Sequence, residues 1–174
     1  MTNITEKINL AITYPSSKLL INCPRQCGST KTLISYAIKL HDNGDKVGFI
    51  VNDNIWLNTM RNHVSQLDTG IYDHTDPDFI GMDWGKYDTI IFDLAAGMNS
   101  IFETVECILN HDFPPKLILY TSGLNDEKWQ GQVRKFNGIG FTSININHEN
   151  IIDDFEDISG LKMVNKFNQE YVMQ

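Results

Sequence analysis

The apolar pattern of this chain switches repeatedly between two periods. Short runs rich in β-branched and aromatic residues have the length and composition of strands. They are "SKLLINCP" (17–24), "KVGFIVND" (46–53), "YDTIIFDLA" (87–95), "PKLILYTS" (115–122) and "GFTSININ" (140–147). The third is apolar on both faces and is expected at the centre of a sheet. Longer stretches between the runs carry helical spacing. "KTLISYAIKLHDNG" (31–44) sets Leu33, Ile34, Ala37, Ile38 and Leu40 on one face, with Gly44 as its stop. "NIWLNTMRNHVSQL" (54–67), "SIFETVECILNHD" (100–112) and "DEKWQGQVRKFN" (126–137) read as further helices. The first 14 residues predict a short amphipathic helix through Ile4, Ile8 and Ile12.

Two stretches are irregular. Residues 69–85 are polar, with a short strand expected near Ile71. Beyond His148, "NIIDDFEDISG" fits a helix, and "LKMVNKFNQEYVM" fits an added edge strand or hairpin as well as a helix. Strand–helix alternation at this spacing implies right-handed crossovers and a mainly parallel sheet. The expected fold is α/β: three layers, about five strands, helices on both faces. One domain spans 1–174, with 1–14 as an N-terminal segment and 148–174 as an extension.

Composition narrows the function classes. At 174 residues, with 41% apolar and 21% charged positions, the chain is ordinary for a soluble domain. A net charge of −8 argues against non-specific DNA binding as the main activity, because such binding needs Lys and Arg to neutralise phosphates. Lys128, Arg134 and Lys135 form the one basic patch that suits nucleic-acid contact. Three cysteines, Cys23, Cys27 and Cys107, supply no disulfide framework and point to a reducing compartment, hence a cytoplasmic protein. The polar start "MTNITEKINLAITYPSS", broken by Pro15, does not read as a signal peptide, and no apolar run is long enough to be expected to span a membrane.

In open α/β sheets, ligands bind beyond the carboxyl ends of the strands. Three stretches fall there: "PRQCGSTKT" (24–32), "DLAAG" (93–97) and "TSGLN" (121–125). The first has the shape of a phosphate loop, in which backbone N–H groups at a helix start receive an anion, lysine reaches the phosphates and a hydroxyl holds Mg²⁺. Two registers are open. Lys31 and Thr32 satisfy only the last two positions of the pattern, with Thr30 where glycine belongs. Alternatively Gly28 is the second glycine, Ser29 replaces the lysine, Thr30 keeps the hydroxyl, and Lys31 lies one helical step beyond. A plain strand–turn–helix with a Ser/Thr cap also accounts for the segment.

"TIIFD" has the form of a Walker B strand, with Asp93 placed to hold Mg²⁺; the next position, often a glutamate, is Leu94. An alkyl group cannot replace a carboxylate as general base. Thr121, Ser122, Gly123 and Asn125 would stand beside the phosphates, although the same residues make good turn chemistry.

Together these segments resemble the ATPase domain of tailed-phage terminase large subunits, over roughly residues 15–147. Arg25, Gln26 and Gly28 match that family's loop, Thr30 its magnesium-binding hydroxyl, and Asp93 its Walker B aspartate. "PKLILYTSGLN" resembles its coupling motif. Ser29 and Leu94 depart from the lysine and the glutamate. Signal-recognition-type GTPases and ParA-like ATPases are a second resemblance, weakened by the spacing of Asp93 and Gly97 and by the lack of a guanine-specifying motif.

The resemblance implies a site of Arg25, Gln26, Gly28, Ser29, Thr30, Lys31, Thr32, Asp93, Ser122 and Asn125. ATP and Mg²⁺ are its cofactors, with Thr30 and Asp93 on the metal. Three functions follow: a phage-encoded pseudo-ATPase that acts by binding a protein or nucleic-acid-machine partner, an active ATPase with Lys31 rewired into the loop, or an α/β interaction domain without nucleotide. A protein partner is expected, self-association is compatible, and no membrane is involved.

Overall fold

The computed structural model describes residues 4–24, 29–51, 67–71, 83–94, 101–146, 161–164 and 170–172. In chain order the described elements are α1 (Ile4–Ile12), β1 (Lys18–Cys23), α2 (Ser29–Asp42), β2 (Val47–Val51), β3 (Asp68–Ile71), a 3₁₀ turn (Trp84–Lys86), β4 (Thr89–Asp93), α3 (Ile101–Leu109), β5 (Lys116–Ser122), α4 (Asp126–Asn137), β6 (Thr142–Ile146), β7 (Leu161–Val164) and β8 (Glu170–Val172). The helices expected over 54–67 and near 151–160 lie outside the described residues.

The strands form one sheet in the order β3-β2-β4-β5-β1-β6-β7-β8. The first six in that order run parallel, and β7 and β8 add an antiparallel hairpin at the β6 edge. The five strand runs read from the sequence become β1, β2, β4, β5 and β6, and the short strand expected near Ile71 and an edge hairpin over the C-terminal stretch supply the other three. The polar strand β3 and the C-terminal hairpin are short, and pairing to a neighbour rather than their own apolar pattern makes them strands.

Strand alternation splits the core between the two faces. On one, Leu19, Ile21, Cys23, Phe49 and Ile118 pack with Ile8, Ala11 and Ile12 of α1 and with Leu33 and Ala37 of α2. On the other, Leu20, Ile90, Phe92, Leu117 and Leu119 meet Ile101, Val105 and Ile108 of α3 and Trp129, Val133 and Phe136 of α4. Burial of every position in β2 and β4 matches their near-continuous apolar sequences. Trp84 and Trp129 are core anchors rather than base-stacking platforms.

Helix α2 begins at Ser29, two residues before the sequence pattern suggests. It ends at Asp42, and Gly44 just beyond it has φ +100°. The Gly44 amide bonds to the His41 carbonyl and the Asp45 amide to the Leu40 carbonyl, closing the paired caps that a left-handed glycine permits.

The chain leaves β1 through α2 over one face and leaves the adjacent β5 through α4 over the other. Neighbouring parallel strands whose connections depart on opposite faces open a crevice at their carboxyl ends, where α/β proteins bind ligands.

Candidate functional site

Three strand ends meet at this edge. Cys23 closes β1, Ser122 closes β5 in register with it, and Asp93 closes β4 beside Tyr120. Strand β5 therefore separates the phosphate-loop-like segment from the aspartate strand.

Asp93 follows Ile91 by two positions, so its side chain projects to the α2 face of the sheet. It is 6% exposed, and its Oδ2 accepts a 2.7 Å hydrogen bond from the Thr30 hydroxyl. Thr30 is the second residue of α2, within the turn whose backbone N–H groups have no helical partner. That first turn holds no acidic side chain, whereas α4 places Asp126 and Glu127 in its own. The positive end of the α2 dipole is thus left without a neutralising carboxylate of its own turn.

A hydroxyl and a carboxylate in contact at a helix start are a donor set suited to Mg²⁺. That ion takes one or two protein oxygens and fills the remaining positions with water and phosphate oxygens. Among the described residues no group of three His, Cys, Asp or Glu could hold a metal by protein ligands alone. Neither described cysteine is in a disulfide; Cys23 is buried and Cys107 exposed.

The position after Asp93 is part of the core. Leu94 is 0% exposed and belongs to the cluster with Ile101, Val105 and Trp129, on the face opposite Thr30. Its amide donates to the Tyr120 carbonyl at 3.0 Å, which fixes the backbone.

Lys31 is exposed, one residue beyond Thr30 and so about 100° around the helix from it. Thr32 is half-buried in the same turn. Arg25, Gln26 and Gly28 lie outside the described residues. Ser122 is half-buried at the end of β5. Asn125 caps α4, its side chain accepting from the Lys128 amide at 2.9 Å. Of the ten residues anticipated, the structure brings Thr30 and Asp93 into contact and sets Ser122 at the neighbouring strand end; Lys31 faces solvent and Asn125 serves its own helix.

Two buried polar side chains lie outside the set of site residues anticipated from the sequence. Asn22 is a buried amide within the apolar run of β1. Its Nδ2 donates to the Leu124 carbonyl at 3.2 Å and to Asn145 Oδ1 at 3.1 Å. Its Oδ1 receives the Leu124 amide at 3.3 Å and lies 3.1 Å from the Thr121 hydroxyl. This network ties the β5 turn to β1 and β6 and lines a polar notch of about 170 Å³ with Pro24, Gly123 and Asp126.

The second is Lys7, 1% exposed on the buried stripe of α1. Burial pushes its ammonium below the usual lysine range, and the nearby Cys23 thiol pushes it partly back. The spacing Ile4–Lys7–Ile8–Ala11 places this lysine on the apolar face, a signal present in the sequence.

Two larger cavities lie elsewhere. One of about 460 Å³ sits near Asp45, Asp68 and Lys86, by the amino ends of the strands, and one of about 600 Å³ runs between α1 and α2. On α4, Lys128, Arg134 and Lys135 are exposed, with Lys135 4.8 Å from the centre of the Phe102 ring.

A comparison with family models and one with curated proteins each found no match to this chain. No helix among the described residues is long and apolar enough to cross a membrane.

Proposed function

We propose that this protein is a nucleotide-binding pseudo-ATPase: it holds ATP with Mg²⁺ at the carboxyl edge of the sheet, has lost efficient hydrolysis, and works by engaging a protein or nucleic-acid-machine partner. The observation that carries this reading is the 2.7 Å contact between Thr30 and Asp93. It joins the two residues assigned to the metal in the Gly28–Ser29–Thr30 register, at the topological switch of the sheet. The donor set, the helix start and the strand ends together support phosphate and Mg²⁺ binding.

Loss of hydrolysis is supported by Ser29 at the lysine position and by Leu94 at the carboxylate position. Developing phosphoryl charge calls for a fixed cation, and the attacking water calls for an orienting or proton-accepting group. Leu94 is built into the core, so this position presents neither. The exposure of Lys31 disfavours the rewired ATPase. The same sequence features motivate the likeness to terminase ATPase domains and, with it, a phage origin.

The test is a fluorescent-ATP titration with and without Mg²⁺, followed by a phosphate-release assay. Saturable, Mg²⁺-dependent binding with negligible release is expected. Absence of binding at millimolar nucleotide would return the protein to the class of interaction domains. Release at about one per second or faster, ordinary for an enzyme, would refute the loss of catalysis.

A further inference from the structure

Phe113 is 87% exposed; among the described residues the other large apolar side chain at the surface is Leu10, at 40%. The ring stands on a stiff support. Pro114 and Pro115 follow it, each with its own φ fixed and each confining the residue before it to extended backbone. Pro115 is buried, and the Lys116 amide donates to the Asp88 carbonyl at 2.9 Å. At the other end of the loop the His111 amide donates to the Ile108 carbonyl at 3.2 Å. A ring presented this way loses little freedom on docking. We propose that Phe113 anchors a two-fold contact between two copies of this chain, each ring entering the cavity of about 460 Å³ at the other copy's amino edge. The contact lies at the opposite ends of the strands from Thr30 and Asp93 and does not depend on the reading of that site.

The sheet places loop and cavity side by side. Val47, Thr89 and Lys116 are in register across β2, β4 and β5, so the start of β5 is two strand spacings, about 10 Å, from Val47 in the cavity wall. His111 packs toward the cavity: a carbon added at Gly85 would lie 3.5 Å from its Nδ1, and Gly85 adjoins Lys86 of the cavity lining. A two-fold contact needs both halves of the match on one surface, and this edge has them. The interior suits a phenyl ring, because Val47 and Tyr87, both buried, line it. The Tyr87 hydroxyl donates to Asp68 Oδ2 at 3.2 Å, and its ring lies against β2 at Gly48, where an added carbon would come 3.3 Å from Cε1. A fixed aromatic wall offers an arriving ring a tilted or edge-to-face partner. A far smaller apolar cavity, about 150 Å³, already takes benzene.

Charge favours a second copy as the occupant. Asp112, the exposed neighbour of Phe113, brings a carboxylate to a cavity where Lys46 and Lys86 are exposed. Of the two acids in the described lining, Asp68 is engaged by the Tyr87 hydroxyl and by the Lys86 ammonium 3.8 Å away, which leaves Asp45. The Lys86–Asp68 pair is solvated on both sides and therefore weak, so Lys86 is free to turn to Asp112 of the second copy. Two inserted rings with their flanking charges make a small interface, and a dissociation constant on the order of tens of micromolar is expected.

The experiment is sedimentation velocity on the full chain from about 5 to about 500 µM, a range that brackets the expected constant. Wild type should pass from monomer to a discrete dimer. Phe113→Ser should weaken association at least about thirtyfold, as loss of a central aromatic anchor does, with a melting temperature close to that of wild type because the ring is exposed. Asp112→Lys and Lys86→Glu should each weaken the dimer about threefold or more, and the two combined should recover most of the affinity, since the swapped charges again face one another. Should Phe113→Ser fail to fold, the charge-swap cycle decides. Additive weakening in the double variant overturns the proposal, as does a Phe113→Ser protein that dimerises like wild type. Species that grow past the dimer with concentration overturn a closed two-fold contact. A wild type that stays monomeric throughout overturns the second copy as occupant and leaves Phe113 to a pocket on a different protein.

Discussion

Leu94→Glu restores, on paper, the carboxylate that an ATPase would carry after its aspartate. The structure says that it will instead cost most of the fold's stability. Leu94 is wholly buried, between the sheet and α3. Removing its buried surface forfeits about 2 kcal/mol. The introduced carboxyl must also stay neutral in an apolar cluster. At pH 7, holding a group of ordinary pKa about 4.3 in its protonated form costs about 3.7 kcal/mol, at about 1.36 kcal/mol per pH unit. The sum, roughly 5–6 kcal/mol, compares with a typical total of about 5–15 kcal/mol. For a chain of this size the melting temperature should fall by about 10–20 °C.

The carboxyl's folded pKa is raised, so its penalty shrinks as pH falls toward the unfolded value. Between pH 7 and pH 5 the variant should regain about 2.7 kcal/mol relative to wild type. Leu94→Gln, which does not titrate, should show no such recovery. Urea unfolding at both pH values measures this, with phosphate release followed in parallel. If Leu94→Glu is within about 1 kcal/mol of wild type at pH 7, its side chain reaches water. If it then also releases phosphate, position 94 is a usable base position and the reading of the site as locked out of catalysis is wrong.

Three further outcomes are expected. Thr30→Val removes a hydrogen bond to a carboxylate and should lower stability by about 1.5–3 kcal/mol; it should also abolish the Mg²⁺ dependence of nucleotide binding, and an unchanged dependence would remove Thr30 from the metal site. Gly140→Ala should cost about 1–2 kcal/mol in urea unfolding, because φ is +92° there and the added carbon would come 2.9 Å from Lys18 Nζ; a neutral result would show that the turn relaxes freely. Burial, reinforced by the Asp45 carboxylate, raises the Tyr36 phenol above its usual range. Its contribution to stability is then full below the unfolded tyrosine value, about 10, and is lost as pH rises through the folded value; Tyr36→Phe should flatten that alkaline loss, and an equally steep loss would assign it to other groups.

Much of the architecture is legible because it is local. The strand runs of β1, β4 and β5 and the helical stripe of α2 are written in neighbouring residues, and α4 falls on the residues read from its pattern. The sequence also places the three polar stretches at strand ends, because a strand followed by a turn and a helix fixes which end faces the ligand edge.

What the chain does not declare locally is which strands become neighbours. The insertion of β5 between β1 and β4, and the closing of Thr30 onto Asp93 across 63 positions, are choices among long-range pairings of similar local patterns. Burial is equally a tertiary matter. Lys7 and Asn22 are polar residues within apolar patterns, and only packing against other elements shows that both are enclosed. The same holds for Leu94. In sequence it is a missing carboxylate; in the fold it is a core side chain, held on the far face of the sheet by strand alternation and the α3 contact. Local residues therefore determined the order of strands and helices, while the tertiary structure decided which groups meet at the carboxyl edge, because contact and burial depend on elements distant in the chain.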